Sequence, residues 1–382
     1  MSTCVEKDPA PRSPSSPLWA LLLLVATPPV LPAQNVPTLQ LEPADAVLDR
    51  GFTIVTSVRE LADGRLLVAD YGENQLYLGD FRSEEVTHVG REGEGPGEYM
   101  HVGWIYPLGG DSTLFTDSTL RRWSLLDGTG FVETIARSEL LPRTLGPSLG
   151  GANASGKVLG TGHHRGTYNA PDTLVLLLAD RGEGAVDTVC FLKGPGEFGK
   201  NVSLPAGRGS TIFPHPLYTS EQGLLFPDGW LAVARMGSFR VDWRAPDGRW
   251  ARGAALPFPS ILVDDRERRF HLARYTTREI PARFEWPDEL PPFLSYTRSP
   301  RGNAAGTSTL FATPEGNLLI RRTESAAEPG TDYVLVDRGG VAVGVLSLQS
   351  NEAIVGFGAR SVYVLATDDW DLQRLRRHPW PL

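Results

Sequence analysis

A chain of 382 residues, 41% hydrophobic and 21% charged, has apolar material for one large all-β domain or two ordinary ones. Its 41 Gly and 31 Pro favour many short strands joined by turns over long helices. A formal net charge of −8 without a basic run argues against a nucleic-acid partner.

In chain order, the first element is the apolar run Leu18–Ala26, followed by Thr27-Pro28-Pro29 and Leu31-Pro32-Ala33-Gln34. It is too short to span a bilayer and has a small residue where cleavage would fall, so residues 1–33 read as a signal peptide cut after Ala33. Two features depart from the usual pattern: Glu6 and Asp8 sit beside Lys7 and Arg12, and Leu31 stands three positions before the cut. The expected product is a secreted or periplasmic monomer that starts at Gln34 and has no transmembrane segment. Cys190 is then the one thiol left, which excludes an intrachain disulfide, and within Val189-Cys190-Phe191-Leu192 it reads as a small buried hydrophobe.

From there the chain repeats a tight turn followed by an apolar run. The turns are Asp63-Gly64, Asp111-Ser112, Ser155-Gly156, Asp228-Gly229, Glu315-Gly316 and Gly358-Ala359, each leading into a second strand. A third strand follows each, at Gln75–Leu78, Arg122–Leu125, Leu174–Leu178, Phe239–Trp243, Tyr333–Val336 and Leu372–Leu375. A fourth follows the first five, at Glu85–Val89, Phe131–Ile135, Val186–Val189, Trp250–Ala254 and Val341–Val345. A hairpin cannot bury its apolar face alone, so copies at about 40–50 residues per unit must stack radially as propeller blades. The sixth unit runs out of chain, while Thr38–Leu41 has no blade of its own. An N-terminal strand completing the last blade would close the ring and remove an exposed edge. The prediction is an all-β, six-bladed β-propeller over residues 34–382, closed by an N-terminal strand. One helical and Pro-rich insertion, residues 258–300, lies between blades 4 and 5, with its helix over Asp264–Tyr275.

Two junctions carry Gly-Pro-Gly-Glu-aromatic: Gly95-Pro96-Gly97-Glu98-Tyr99 and Gly194-Pro195-Gly196-Glu197-Phe198. On these motifs and the repeat, the chain resembles NHL-like six-bladed β-propellers, in particular a group of exported bacterial propellers whose members imply no single activity. Recurrence at equivalent loops marks Glu98 and Glu197 as parts of a turn rather than catalytic acids.

In a propeller, the loops between second and third strands share a face with the loops between blades. The ends of the second strands there give Asp70, Asp117, His163, Arg235, Arg322 and Asp368, and the insertion after His163 adds His164 and Arg165. This mixed ring can hold a polar ligand or satisfy itself by ion pairs. The insertion between blades 4 and 5 reads either as a lid over the mouth or as a decoration packed on the rim by Phe284 and Trp286. The chain has no Gly-x-Ser-x-Gly elbow, His-Glu-x-x-His helix, phosphate loop or calcium loop. The expectation is a non-catalytic scaffold for a protein or a small polar ligand, with no catalytic residues, metal or cofactor. The alternative is a lactonase-like metal-dependent hydrolase or a lyase, holding calcium or zinc in the central channel through Asp70, Asp117, His163 and Asp368.

Overall fold

The repeated turn takes one backbone form in four places in the computed structural model. Gly64, Gly156, Gly229 and Gly316 all have φ between 80° and 87°, and each donates its N–H to the carbonyl three residues earlier. Only glycine adopts that conformation without strain, so the turn residue fixes where each second strand begins. The structure describes residues 36–117, 119–136, 145–163, 173–194, 199–203, 210–214, 220–274, 286–293 and 308–381. The expected signal peptide, His164, Arg165, Glu197 and Phe284 lie outside the described residues.

Six four-stranded units result, each running from the channel outward. Blade 1 is Val55–Glu60, Leu66–Asp70, Gln75–Asp80 and Glu85–His88. Blade 2 is Ile105–Pro107, Ser112–Asp117, Arg122–Asp127 and Gly130–Ala136. Blade 3 is Leu145–Ala152, Lys157–His163, Thr173–Asp180 and Val186–Lys193. Blade 4 is Gln222–Leu225, Leu231–Arg235, Arg240–Arg244 and Trp250–Arg252. Blade 5 is Leu310–Ala312, Leu318–Arg321, Thr331–Val336 and Ala342–Leu348. Blade 6 is Glu352–Phe357, Ser361–Thr367, Gln373–Pro379 and, from the start of the chain, Ala46–Phe52. Each first strand adjoins the first strand of the next blade, and that of blade 6 adjoins that of blade 1, so the ring is closed.

The core is divided among the gaps between blades. Leu159, Leu176, Leu231 and Val233 fill the gap between blades 3 and 4, and Phe226, Trp243, Leu318 and Val334 the next one. Burying a side chain of this size contributes roughly 1.5–3 kcal/mol, which is how an array of two-sided hairpins becomes one folded body.

The strand that closes the ring is not the one the sequence points to. Ala46–Phe52 pairs antiparallel with Gln373–Pro379, Leu48 opposite Leu375, while Thr38–Leu39 runs parallel to Ala342–Leu348 as a fifth strand on blade 5. Leu48 and Phe52 are fully buried beside Val355 and Tyr363, and this burial selects the segment. A register shift between those two residues, at Asp49-Arg50-Gly51, breaks the alternation and hides the strand from a reading of its pattern.

Between blades 4 and 5 the helix forms over Asp265–Arg274, one residue inside the predicted bounds at each end. Asp264 is its N-cap, accepting the Glu267 N–H at 2.8 Å on Oδ1. Glu267, buried, accepts the Ala326 N–H, while the Pro291 and Pro292 carbonyls accept from Thr323. These bonds attach the described parts of the insertion to the loop after the second strand of blade 5. Trp286 packs with Ile261, Val263 and Leu290 of the insertion itself.

Candidate functional site

The ends of the second strands fall into three chemical types. At the ends of blades 1 and 2 stand buried aspartates with matching surroundings. Asp70 Oδ1 accepts N–H bonds from Ile54, Gly72 and Glu73 at 2.9, 2.9 and 3.1 Å, and Oδ2 accepts from Thr53 at 2.8 Å. Asp117 Oδ2 accepts from Met100 at 2.7 Å and His101 at 3.4 Å, and Oδ1 accepts from Thr119 at 2.9 Å and Leu120 at 3.0 Å. Each carboxylate thereby ties the chain entering its blade to the turn between second and third strands. Both side chains are almost wholly buried, a position that a carboxylate tolerates only with donors of this kind around it.

Blades 4 and 5 place arginines there. Arg235 donates to Glu221 at 2.8 Å, to Asp242 at 3.0 Å and to the Phe191 carbonyl at 3.0 Å. Asp242 also accepts from Arg240 Nε at 2.8 Å and Nη2 at 3.2 Å. Burial works to raise the Asp242 carboxyl, but the Arg240 and Arg235 hydrogen bonds outweigh it and hold the group below its ordinary value. Burial likewise works against the Arg235 charge, and the bonds to Glu221 and Asp242 more than offset it. Arg322 donates to Asp332 at 3.1 Å and Glu328 at 3.4 Å, and its guanidinium lies 5.0 Å from the Phe258 ring centroid.

Among the described residues, Asp368, after the second strand of blade 6, accepts only within its own turn, from Trp370 and Leu372, both at 2.9 Å. In blade 3 the second strand ends at His163. The structure therefore joins Arg235 into a network with Glu221, Asp242 and Arg240, and gives Asp70, Asp117, Arg322 and Asp368 separate partners of their own. Sequence reasoning passes over Glu221, Arg240 and Asp242. The available signal is Arg240-Val-Asp242, where alternation puts both charges on one face of a strand. It also passes over Arg50 of the closing strand, which donates to Glu73 at 2.7 Å and to the Tyr77 hydroxyl at 2.6 Å, binding that strand to blade 1.

Glu98 of the first Gly-Pro-Gly-Glu-Tyr motif accepts the Gly95 N–H at 2.8 Å and Arg91 Nε at 2.7 Å. Arg122 donates to the carbonyls of Glu94, Gly95 and Glu98. Tyr99 is fully buried beside Phe115, and its hydroxyl accepts from Leu76 N–H at 3.1 Å. The motif is a folded turn with its aromatic in the core between blades 1 and 2.

A calcium or zinc ion held by Asp70 and Asp117 would have to displace the amides now bonded to them. Those N–H dipoles present their positive ends to the oxygens, an environment built for an anion and unsuited to a cation. These two residues do not fit a metal site.

No protein-family model and no curated protein matches the chain. Among solved structures it is similar to a candidate exported protein of Bacteroides fragilis, at TM-score 0.48 and 12% identity over 91% of this chain and 95% of that one. It is also similar to a candidate gluconolactonase, at TM-score 0.44 and 12% identity over 89% and 94% of the two chains. A third is the calcium-binding protein regucalcin of Agrobacterium tumefaciens, at TM-score 0.42 and 11% identity over 91% and 97%. At such values no residue role passes from these proteins to this chain, and the propeller assignment rests on the chain's own strand pairing.

Proposed function

We propose that the protein is an exported propeller that binds a small polar ligand or a protein partner and catalyses no reaction. Its binding face carries the second-strand ends and the loops between blades, with His163, His164, Arg165, Arg235, Arg322 and Asp368 around the ligand and Asp70 and Asp117 as the fixed frame. One observation carries this reading: the two buried carboxylates that a channel-centred metal enzyme would draw on are each committed to four backbone N–H groups. The mature chain starts at Gln34 and is secreted or periplasmic, in the manner of the exported propellers it resembles.

Elemental analysis of the purified protein, paired with melting curves before and after EDTA dialysis, tests the reading. The expected result is no stoichiometric calcium or zinc and a Tm that moves by less than about 1 °C. Stoichiometric metal that is lost in Asp70→Asn would replace the scaffold with the lactonase-like hydrolase or lyase. N-terminal sequencing of secreted protein should begin at Gln34, and a chain beginning at Met1 would contradict export by cleavage.

A further inference from the structure

A groove of about 230 Å³ opens between blades 3 and 4. Val189 and Cys190 line it from the outer strand of blade 3, and Arg235, Asp242, Trp250 and Arg252 line it from blade 4. Pairing places Arg252 opposite Asp242 and Trp250 opposite Arg244, so Trp250 and Arg252 share the face turned to blade 3. Asp242 is already engaged: its two oxygens take three N–H bonds from Arg235 and Arg240, and Glu221 takes another from Arg235. Three guanidiniums thus meet two carboxylates. Among the described residues Arg252 makes no ion pair or side-chain hydrogen bond, so its charge is left uncompensated. Beside it Trp250 is 44% exposed, and blade 3 contributes the apolar Val189 to the lining.

An unpaired guanidinium, an open indole and an apolar wall around a space for a molecule of about ten non-hydrogen atoms define a ligand chemistry. We infer that this groove binds a small carboxylate carrying a flat ring, the carboxylate on Arg252 and the ring between Trp250 and Val189. Arg235 and Asp242 hold the floor in place, and Arg252 supplies the attraction. The groove lies beside the proposed binding face and shares Arg235 with it, and the inference adds a ligand class to the binding reading above and rests on it. Its readout is separate from metal content, so the two fail separately.

Cys190 provides that readout. It is the one cysteine of the described residues, half-buried in the groove wall, with burial pushing its thiol up from the ordinary range. An occupant should therefore slow its alkylation by iodoacetamide. In the mature protein, benzoate should protect Cys190 at concentrations about tenfold lower than benzamide, which keeps the ring and loses the charge, or acetate, which keeps the charge and loses the ring. Arg252→Gln, at an exposed position that tolerates the change, should bring benzoate to the level of benzamide, and Trp250→Leu should bring it toward acetate. Equal protection by all three probes, protection by none, or benzoate protection unchanged in Arg252→Gln would overturn the assignment.

Discussion

Blades 1 and 2 and blades 4 and 5 solve one structural problem with opposite charges. At the end of the second strand, Asp70 and Asp117 gather the amides of the incoming strand and of the following turn into a closed knot. Arg235 and Arg322 cannot accept an N–H, so they reach sideways to carboxylates on neighbouring segments. The chain is held close on its way into each knot: Thr53 and Ile54 follow directly on the closing strand, and Met100 and His101 follow directly on the folded Gly95–Tyr99 turn. Where the arginines stand, the approach is long. The connection from Arg252 to Leu310 carries the helix, while only Gln349, Ser350 and Asn351 join blade 5 to blade 6. An aspartate cap thus goes with a fixed frame, and an arginine with a sector where loops grow and charge is left over for a ligand.

The largest effect should come from removing a knot. Asp70→Ala strands four backbone donors, each worth about 1 kcal/mol, so denaturant unfolding should show a loss of about 4 kcal/mol. The same change at Asp368, whose bonds stay within one exposed turn, should cost under about 1 kcal/mol. Equal losses at the two positions would break the contrast.

Next comes the arginine sector. Asp242→Asn leaves Arg240 without a carboxylate and Arg235 with Glu221 alone, and should cost about 3 kcal/mol at pH 7. The folded-state carboxyl lies below its ordinary 3.8, so Asp242 stabilises the fold above about pH 4, and this share is lost as pH falls through the folded value. Stability measured against pH should therefore have a flatter acid limb in the variant. Gly72→Ala comes third, at about 2 kcal/mol, because a Cβ there would lie 2.5 Å from Thr53 Cγ2 and 2.9 Å from the Ile54 nitrogen inside the Asp70 knot. Glu328→Gln should be the smallest, under about 0.5 kcal/mol in a thermal melt, since Glu328 is 66% exposed and Asp332 remains on Arg322.

Much of the frame is legible in the sequence because it is local. Asp63-Gly64, Ser155-Gly156, Asp228-Gly229 and Glu315-Gly316 announce their turns, and the apolar runs after them announce the second strands. The closing strand is less legible, since Asp49-Arg50-Gly51 interrupts its alternation and its partner, Gln373–Pro379, is about as far away as the chain allows. Of the candidate ring, sequence yields the positions of Asp70 and Asp117 but not their role, because their partners are backbone amides, which leave no trace in residue type. Arg252 and Trp250 escape notice for another reason. On their strand they read as exposed polar and aromatic residues, and only the engagement of Asp242 by two other arginines gives them meaning.

Amide hydrogen exchange at Thr53, Ile54, Met100 and Thr119 bears most directly on whether the buried aspartates are a frame of backbone caps. The account predicts slow exchange in the native protein that is unaffected by EDTA or added calcium and that speeds up far more at Thr53 and Ile54 than at Met100 and Thr119 in Asp70→Ala. Fast exchange at these amides in the native protein, slowed by a divalent cation, would contradict it.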